Sequence, residues 1–269
     1  MSPRTPNLKA KKSLGQNWMV DNVAINKVFE ASGLGELDTV VEVGPGKGSL
    51  TKLLVKNTAR VIAVEMDQSL SVRLAKALND PSNLVVINDD ARSWDPSVVT
   101  DPYKLISNLP YYAATPIIRN FLESSNPPSE ITITIQKEVA ESMVAAPGKM
   151  RTLSVATQLY GNPRIVDYID PSSFRPMPKV TSAIVKIDVY KEPLLTLEDT
   201  ESFFKIVRAG FRNPRKKLRN SLSNALDIHT SDIEDALTQV SVDHNLRPES
   251  LTMDEWNRIC DSLRRNNLC

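Results

Sequence analysis

Residues 37–48 have the sequence LDTVVEVGPGKG, which is the strongest indication of fold in this chain. The first eight are rich in β-branched side chains and end in a glycine, which is typical of a strand buried in a parallel sheet. The glycines at 44, 46 and 48 allow a sharp turn close to a ligand, and a helical pattern begins directly after them. This strand, turn and helix predict the first unit of an α/β fold whose ligand binds at the carboxyl end of the strand.

The segments after this stretch repeat the alternation of strand and helix. Further strand candidates lie at 60–67, 83–89, 103–110 and 130–136. Helical patterns occupy 22–32, 49–57, 68–79, 115–123 and 137–146. The alternation predicts a doubly wound, mostly parallel sheet. Two later candidates, 163–170 and 182–190, are joined by a loop too short for a parallel crossover, so we expect an antiparallel pair that closes one sheet edge.

The character of the sequence changes after Tyr190. Residues 191–199 are interpreted as a linker, and the remainder has helical periodicity without strand candidates. We therefore predict two domains, residues 1–190 with the sheet and residues 191–269 as a small all-α domain.

The composition restricts the class of protein. Of the 269 residues, 41% are hydrophobic and 24% are charged, which is ordinary for a soluble globular protein. No apolar run approaches the roughly 20 residues that span a bilayer, and the basic N-terminus lacks the apolar core of a secretion signal. Cys260 and Cys269 have no metal-binding spacing, so we expect a reduced, cytoplasmic protein without a metal site. No feature of the sequence indicates an oligomer, and we expect a monomer.

Basic residues are concentrated in two segments although the net charge is only +1. Residues 1–20 contain no acid and carry Arg4, Lys9, Lys11 and Lys12. Residues 202–226 also contain no acid and carry Lys205, Arg208, Arg212, Arg215, Lys216, Lys217 and Arg219. This distribution is typical of a surface that binds nucleic acid, and a solvated helix face is the alternative.

The spacing of the glycines distinguishes between cofactors. A nicotinamide fold has GxGxxG and a phosphate loop has GxxxxGK[ST], whereas this chain has GxGxG with Glu42 two residues before Gly44. That pattern is associated with S-adenosylmethionine, although a tight turn that binds nothing also fits. Glu65 ends the next strand, where a carboxylate can accept both ribose hydroxyls of a nucleoside. Asp90 follows the third strand, where it can accept the adenine amine or cap a helix.

Residues 108–111, NLPY, close the fourth strand at the same edge. An adenine exocyclic amine is a poor nucleophile because its lone pair is delocalised into the ring. The Asn108 side-chain oxygen and the Pro110 carbonyl can accept its two hydrogens and stabilise the charge that develops during methyl transfer. Tyr111 or Tyr112 can stack on a base removed from its helix. An Asn-Pro turn with a buried tyrosine is the alternative.

Five segments together resemble one family. GQNWMVD, EVGPGKGSLT, NLPYY, FRPMPKVTSAIV and GFRNPRKKLRNSL occur in the order found in ribosomal RNA adenine dimethyltransferases. The resemblance implies a seven-stranded class I S-adenosylmethionine-dependent methyltransferase domain at 1–190 and a helical RNA- or ribosome-binding domain at 191–269. It also implies dimethylation of N6 of two adjacent adenosines in a hairpin loop near the 3′ end of small-subunit ribosomal RNA, in a small-subunit precursor.

The resemblance carries site residues over to this chain. The implied cofactor contacts are Asn17, Met19, Gly44, Glu65, Asp90 and Asn108. The implied catalytic and target-base contacts are Asn108, Leu109, Pro110, Tyr111 and Phe174. The implied RNA contacts are Arg212, Arg215, Lys216, Lys217 and Arg219. Phe174 is expected to cover the second face of the base, with a core phenylalanine as the alternative, and Trp18 stands where the family usually has phenylalanine.

Two other functions stay open at this point. A related transferase methylates a single adenosine of the large subunit, confers antibiotic resistance, and shares the glycine turn and the asparagine-proline motif. A non-catalytic assembly or transcription factor on the same fold is the second alternative. The intact motif at 108–111 favours catalysis.

Overall fold

The strand at Thr39–Val43 lies in the interior of the sheet, with a parallel neighbour on each side. The fold is taken from a computed structural model that describes residues 10–11, 14–195 and 200–268. The strands are β1 (Trp18–Met19), β2 (Thr39–Val43), β3 (Arg60–Val64), β4 (Leu84–Ile87), β5 (Tyr103–Asn108), β6 (Glu130–Gln136), β7 (Gly161–Ile169), β8 (Phe174–Arg175) and β9 (Ser182–Val189). Seven of them form one sheet in the order β4-β3-β2-β5-β6-β9-β7.

The helices alternate with the strands and then continue alone. They are α1 (Asn22–Ser32), α2 (Thr51–Asn57), α3 (Gln68–Ala77), α4 (Ala114–Leu122), α5 (Lys137–Met143), α6 (Thr152–Gln158), α7 (Thr200–Phe211), α8 (Leu218–Leu226), α9 (Thr230–Gln239) and α10 (Met253–Arg265). The predicted α/β class with a C-terminal helical part is therefore confirmed. The helix α6 was not predicted from the sequence.

The sheet is parallel from β4 to β6 and antiparallel at one end. The pairs β3–β4, β2–β3, β2–β5 and β5–β6 are parallel, and β9 runs antiparallel to β6. Tyr190 N donates to Tyr160 O over 2.9 Å, while the Arg164 side chain pairs with Asp188. From the first contact to the second, the residue number rises from 160 to 164 on the β7 side and falls from 190 to 188 on the β9 side, so these two strands are antiparallel. The predicted antiparallel pair at the edge is confirmed.

The central strands are apolar because both faces of the sheet are covered. Val40 and Val41 of β2 and Val61 of β3 are fully buried. Parallel strands covered on both sides place their carboxyl ends at one edge, where loops are free to carry polar side chains. The first five predicted strands and helices fall within a few residues of the observed ones, so this edge is where the sequence predicted it.

Two compact units divide the described residues. One contains the residues up to Ala140 together with Arg164–Val189, and the other contains Glu141–Pro163 and the residues from Tyr190 onward. One break thus falls next to the predicted boundary at 190. The segment Glu141–Pro163, which the sequence assigned to the sheet domain, clusters with the helices instead.

The helical unit has an apolar core of its own. Trp256 and Phe203 are fully buried in it, and Met150, Val155 and Leu159 of the α6 region belong to the same cluster. Burial of these three side chains explains why the segment that contains α6 packs with α7–α10. No helix in the described ranges is long and apolar enough to cross a membrane.

Some sequence-based expectations lie outside the described residues. These are Arg4, Lys9 and Lys12 of the first basic segment, residues 196–199 of the expected linker, and Cys269.

Candidate active site

A cavity opens at the carboxyl edge of β2, β3, β4 and β5. The space inside it, with the open solvent at its mouth included, is about 750 Å³. The predicted site residues that line it are Asn17, Gly44, Glu65, Asp90, Asn108, Leu109, Pro110 and Tyr111. Met19 lines a smaller cavity beside it, of about 420 Å³ counted in the same way, together with Gly44 and Asn108. The tertiary structure therefore brings together residues from five separate segments of the sequence.

The glycine turn and Glu65 hold each other in place. Gly46 N donates to Glu65 Oε2 over 3.1 Å, and Asp67 N donates to Oε1 over 2.8 Å. Burial raises the pKa of Glu65, and these backbone hydrogen bonds act against that rise. Gly44 has a φ of +64°, and a Cβ there would meet no atom within 4 Å. The open space beside Gly44 is therefore room for a ligand, and the Glu65 oxygens keep lone pairs to accept further hydrogen bonds.

Asn108 has its amide orientation fixed by the N-terminal segment. Its Nδ2 donates to the Asn17 carbonyl oxygen over 3.0 Å, across 91 residues of sequence. No described group donates to Oδ1, and the residue lines both cavities. A bond that uses the amide nitrogen leaves the amide oxygen as a free acceptor at the cavity wall.

Pro110 and Tyr111, which follow Asn108 in the NLPY segment, also form hydrogen bonds. The Pro110 carbonyl accepts the Ala113 N–H over 2.9 Å, which leaves one of its two lone pairs for a ligand. Tyr111 lines the cavity, and its hydroxyl bonds Ser182 Oγ over 2.7 Å. Burial raises the pKa of Tyr111, so the ring stays neutral at physiological pH. Tyr112 is half-exposed, at 51%.

A short N-terminal arm, residues 14–19, forms one wall of the cavity. Lys11 Nζ and Gln16 Nε2 bond the two carboxylate oxygens of Asp67 over 2.7 and 3.2 Å. Burial alone would raise the pKa of Asp67, but bonds from Lys11, Ser69 and Gln16 lower it to about 2. The arm ends in β1, which pairs with β8. The arm is therefore held by Gln16 on Asp67 and by the β1–β8 pairing, with Lys11 adding a contact just before it, and none of these contacts was predicted from the sequence.

Comparison with known proteins agrees with this geometry. Residues 7–265 match the family described as ribosomal RNA adenine dimethylase. The chain belongs to the ribosomal RNA adenine dimethylase family. The resemblance inferred from the sequence motifs is confirmed.

Relatives of this chain include one "Ribosomal RNA small subunit methyltransferase A", from Dehalococcoides mccartyi strain CBDB1. It is 39% identical over 94% of this chain and 88% of its own length. Among solved structures, the 23S rRNA methyltransferase ErmE is 26% identical, with a TM-score of 0.71 over 92% of this chain and 100% of that one. A dimethyladenosine transferase from Plasmodium falciparum, 22% identical with a TM-score of 0.79 over 93% and 98%, shares the fold.

An arginine that was not predicted from the sequence, Arg92, binds Asp90. The Arg92 side chain reaches both Asp90 oxygens, with distances from 2.6 to 3.0 Å, and its guanidinium lies 5.9 Å from the centre of the Tyr112 ring. The Arg92 hydrogen bonds lower the pKa of Asp90. Both side chains are partly exposed, so this pair contributes little to stability. It keeps the Asp90 carboxylate ionised at the mouth of the cavity.

Phe174 lies in a different place from the one expected for a base-stacking residue. It is fully buried, pairs with Met19 through the β1–β8 ladder, and belongs to the apolar core that includes Ile184. It lines neither cavity. The alternative named from the sequence, a core phenylalanine, describes this position. A stacking role for Phe174 would require it to leave the core.

The predicted RNA contacts lie in the turn between α7 and α8 and beside it. Arg212, Arg215 and Lys216 are exposed and form no ion pair in the described part of the chain. Lys217 is also exposed, and its Nζ donates to Asn245 Oδ1 over 2.9 Å. Arg219 differs, because its guanidinium pairs with Glu234 over 2.7 Å. Four of the five predicted cations are thus available to an anionic partner.

Glu42 carries a buried carboxyl group beneath the glycine turn. It is 2% exposed, and its Oε2 has no hydrogen-bond partner in the part of the chain that the structure describes. Burial raises its pKa from an ordinary 4.5 to about 8, so it is protonated in the folded protein at neutral pH. Unfolding at neutral pH therefore releases a proton, and stability falls as pH rises from 4.5 to about 8.

We expect Glu42→Gln to be more stable than the unsubstituted protein, by a margin that grows with pH. The gain is at most about 1.4 kcal/mol per pH unit below the folded-state pKa, since glutamine has no proton to release. Urea unfolding of both proteins at pH 5.5, 6.5 and 7.5, without cofactor, measures the margin. If the difference in unfolding free energy between the two proteins did not change with pH, Glu42 would not have the raised pKa of a buried carboxyl group.

The described residues include no cluster of side chains with the composition of a metal site. Within residues 10–11, 14–195 and 200–268, no three His, Cys, Asp or Glu side chains are grouped in a way that would hold a metal ion.

Proposed function

We propose that this family member transfers methyl groups from S-adenosylmethionine to N6 of two adjacent adenosines in the 3′-terminal hairpin loop of small-subunit ribosomal RNA. It acts as a monomer, in the cytoplasm, on a precursor of the small subunit. The catalytic role rests on one observation, the Asn108 Oδ1 at the cavity wall, to which no described group donates. This oxygen is available because the amide nitrogen of Asn108 is bound to the Asn17 carbonyl. The small-subunit assignment draws on the relative that is 39% identical, against 26% for the large-subunit enzyme.

The cavity has groups that suit each part of S-adenosylmethionine. Glu65 would accept the ribose hydroxyls, and the open space beside Gly44 would let the backbone approach the cofactor. Asp90 would accept the adenine amine, sharing its carboxylate with Arg92. Asn17 and Met19 would contact the amino-acid end. When bound, the cofactor supplies an electrophilic methyl group on a sulfonium.

The chain's own residues prepare the amine for reaction. Asn108 Oδ1 and the second lone pair of the Pro110 carbonyl each accept one amine hydrogen, which favours a pyramidal nitrogen and stabilises its developing positive charge. Tyr111, fixed by its bond to Ser182, offers a ring to the flipped base. No side chain has to remove a proton beforehand, because the methylated amine is acidic enough to lose its proton to water.

The domain roles follow from the placement of the groups. The sheet unit carries the cofactor cavity, and the helical unit carries Arg212, Arg215, Lys216 and Lys217 as RNA contacts. Arg219 is proposed in the same role with a smaller contribution, since Glu234 offsets its charge. Phosphate contacts of this kind give affinity without base readout, so the shape of the RNA selects the hairpin.

Methyl transfer with labelled S-adenosylmethionine tests the function directly. Small and large subunits that lack the modification serve as substrates, and digested RNA is analysed by nucleoside mass. We expect N6,N6-dimethyladenosine in small-subunit RNA only. Methylated adenosine confined to large-subunit RNA would favour the resistance-type enzyme instead, and cofactor binding without transfer to either would favour a factor that acts by binding.

We expect the triple variant Arg215→Gln, Lys216→Gln, Lys217→Gln to bind small subunits more weakly and with less salt dependence. Removing up to three phosphate contacts should reduce the slope of log affinity against log salt by about two to three. Filter binding between 50 and 300 mM KCl measures the slope. The matched control removes three exposed lysines of the sheet unit, Lys52, Lys56 and Lys76, and equal slopes for the two triple variants would refute the assignment.

A further inference from the structure

Trp18 places an unused hydrogen-bond donor at the glycine turn. Its indole Nε1 is buried and has no hydrogen-bond partner among residues 10–11, 14–195 and 200–268. A Cβ on Gly46 would lie 2.8 Å from Cδ1 and 3.0 Å from Nε1, so the ring edge is pressed against the turn. Burying an N–H without a partner is unfavourable, which makes a ligand oxygen at this point the simplest compensation.

Lys47 adds a positive charge at the same place. Its Nζ lies 4.1 Å from the centre of the Trp18 ring, and it forms no ion pair in the described part of the chain. Both residues line the small cavity that also includes Gly44 and Asn108, and Trp18 lines the main cavity too. The ring is thus held between the turn on one side and an ammonium group on its face.

The polar groups of the site differ in hydrogen-bonding chemistry, although Glu65 and Trp18 both contact Gly46. Glu65 and Asp90, which stand after β3 and β4, offer carboxylates and suit hydroxyl and amine donors. The Trp18 indole and the Lys47 ammonium are donors without acceptor capacity, so they suit an anion. S-adenosylmethionine has one anionic group, the carboxylate of its amino-acid end.

We propose that the Trp18 indole N–H, with the Lys47 ammonium beside it, binds the carboxylate of the cofactor's amino-acid end. This inference rests on the proposed function. Phenylalanine, which the family usually has at this position, offers no N–H, so the contact is an additional affinity determinant of this chain. Trp18 is a binding residue here and takes no part in the methyl transfer itself.

Comparison of two ligands distinguishes a contact between Trp18 and the carboxylate from a general change in the shape of the pocket. S-adenosylhomocysteine has the amino-acid end, whereas 5′-methylthioadenosine lacks it and keeps the adenosine. Calorimetric titration of each into Trp18→Phe is compared with the unsubstituted protein, because phenylalanine keeps an aromatic ring against the turn. We expect S-adenosylhomocysteine to bind about tenfold or more weakly, the effect of losing one hydrogen bond to a charged group, and 5′-methylthioadenosine to bind unchanged.

A second variant and the remaining outcomes complete the test. Lys47→Met should also weaken S-adenosylhomocysteine binding selectively, and the difference from the unsubstituted protein should shrink in high salt. Equal weakening of both ligands in Trp18→Phe would mean that Trp18 only shapes the pocket, and unchanged binding of both would also overturn the inference. If the unsubstituted protein bound neither ligand, the proposed function would fail along with it.

Discussion

Replacement of Asn108 by alanine is expected to slow methyl transfer by about 10²- to 10³-fold, the range seen when one preorganised hydrogen-bonding group is removed from a transition-state site. The variant loses the Oδ1 acceptor that faces the cavity and the Nδ2 donor that binds Asn17. The amine would then face the methyl group with one acceptor instead of two. Single-turnover transfer to unmodified small subunits, at saturating cofactor, measures the loss.

Three further measurements separate this role from a general loss of structure. Small-subunit binding should be retained, because the proposed RNA contacts lie at 212–219. The matched control, Asn162→Ala, removes an exposed asparagine of β7 that lines neither cavity and should transfer methyl groups normally. Asn108→Asp keeps an acceptor but faces the Asn17 carbonyl without a donor, so it should not restore the rate. Near-normal transfer by Asn108→Ala would remove this residue from the mechanism.

Replacement of Glu65 by alanine is expected to weaken the binding of S-adenosylhomocysteine by about 100-fold or more. One charge-assisted hydrogen bond contributes about 1.5–3 kcal/mol, and each 1.4 kcal/mol is a factor of ten, so two ribose contacts suffice for this loss. The variant also leaves Gly46 N and Asp67 N without their acceptor, which loosens the glycine turn. Calorimetric titration measures the affinity.

A charge-matched control distinguishes this effect from a change in net charge. Asp101→Ala removes an exposed carboxylate before β5, at the opposite end of that strand from Asn108, and should bind normally. Thermal unfolding with and without S-adenosylhomocysteine gives a second readout, since a ligand that binds the folded state raises its stability. An affinity of Glu65→Ala within threefold of the unsubstituted protein would show that this carboxylate does not hold the cofactor.

The positions of Asn108 and Glu65 in the site follow from patterns that are visible in the sequence alone. Strand ends are marked by the change from β-branched to polar residues, and the carboxyl ends of parallel strands share one edge. Gly44, Glu65, Asp90 and Asn108 each follow or end such a strand, so their convergence was predictable without coordinates. The five motifs added the family, which the comparison with known proteins confirms.

Other features depend on contacts that no local pattern encodes. Asn108 and Asn17 are 91 residues apart, and Lys11 and Asp67 are 56 apart, yet these pairs orient the amide and fix the arm. The sequence did not indicate the helix at Thr152–Gln158, and burial in the same apolar cluster as Phe203 and Trp256 decides which core its segment joins.

Periodicity and strand order in the sequence are sufficient to give the α/β class, the edge of the sheet that forms the site, and residues 108–111 at that edge. Only the folded chain shows which atom of Asn108 faces the cavity, that Arg92 binds Asp90, and that Trp18 brings to the glycine turn an N–H with no partner among the described residues. It also placed Phe174 in the core. Side-chain orientation depends on packing and hydrogen bonding between distant segments, and these are formed only when the chain is folded.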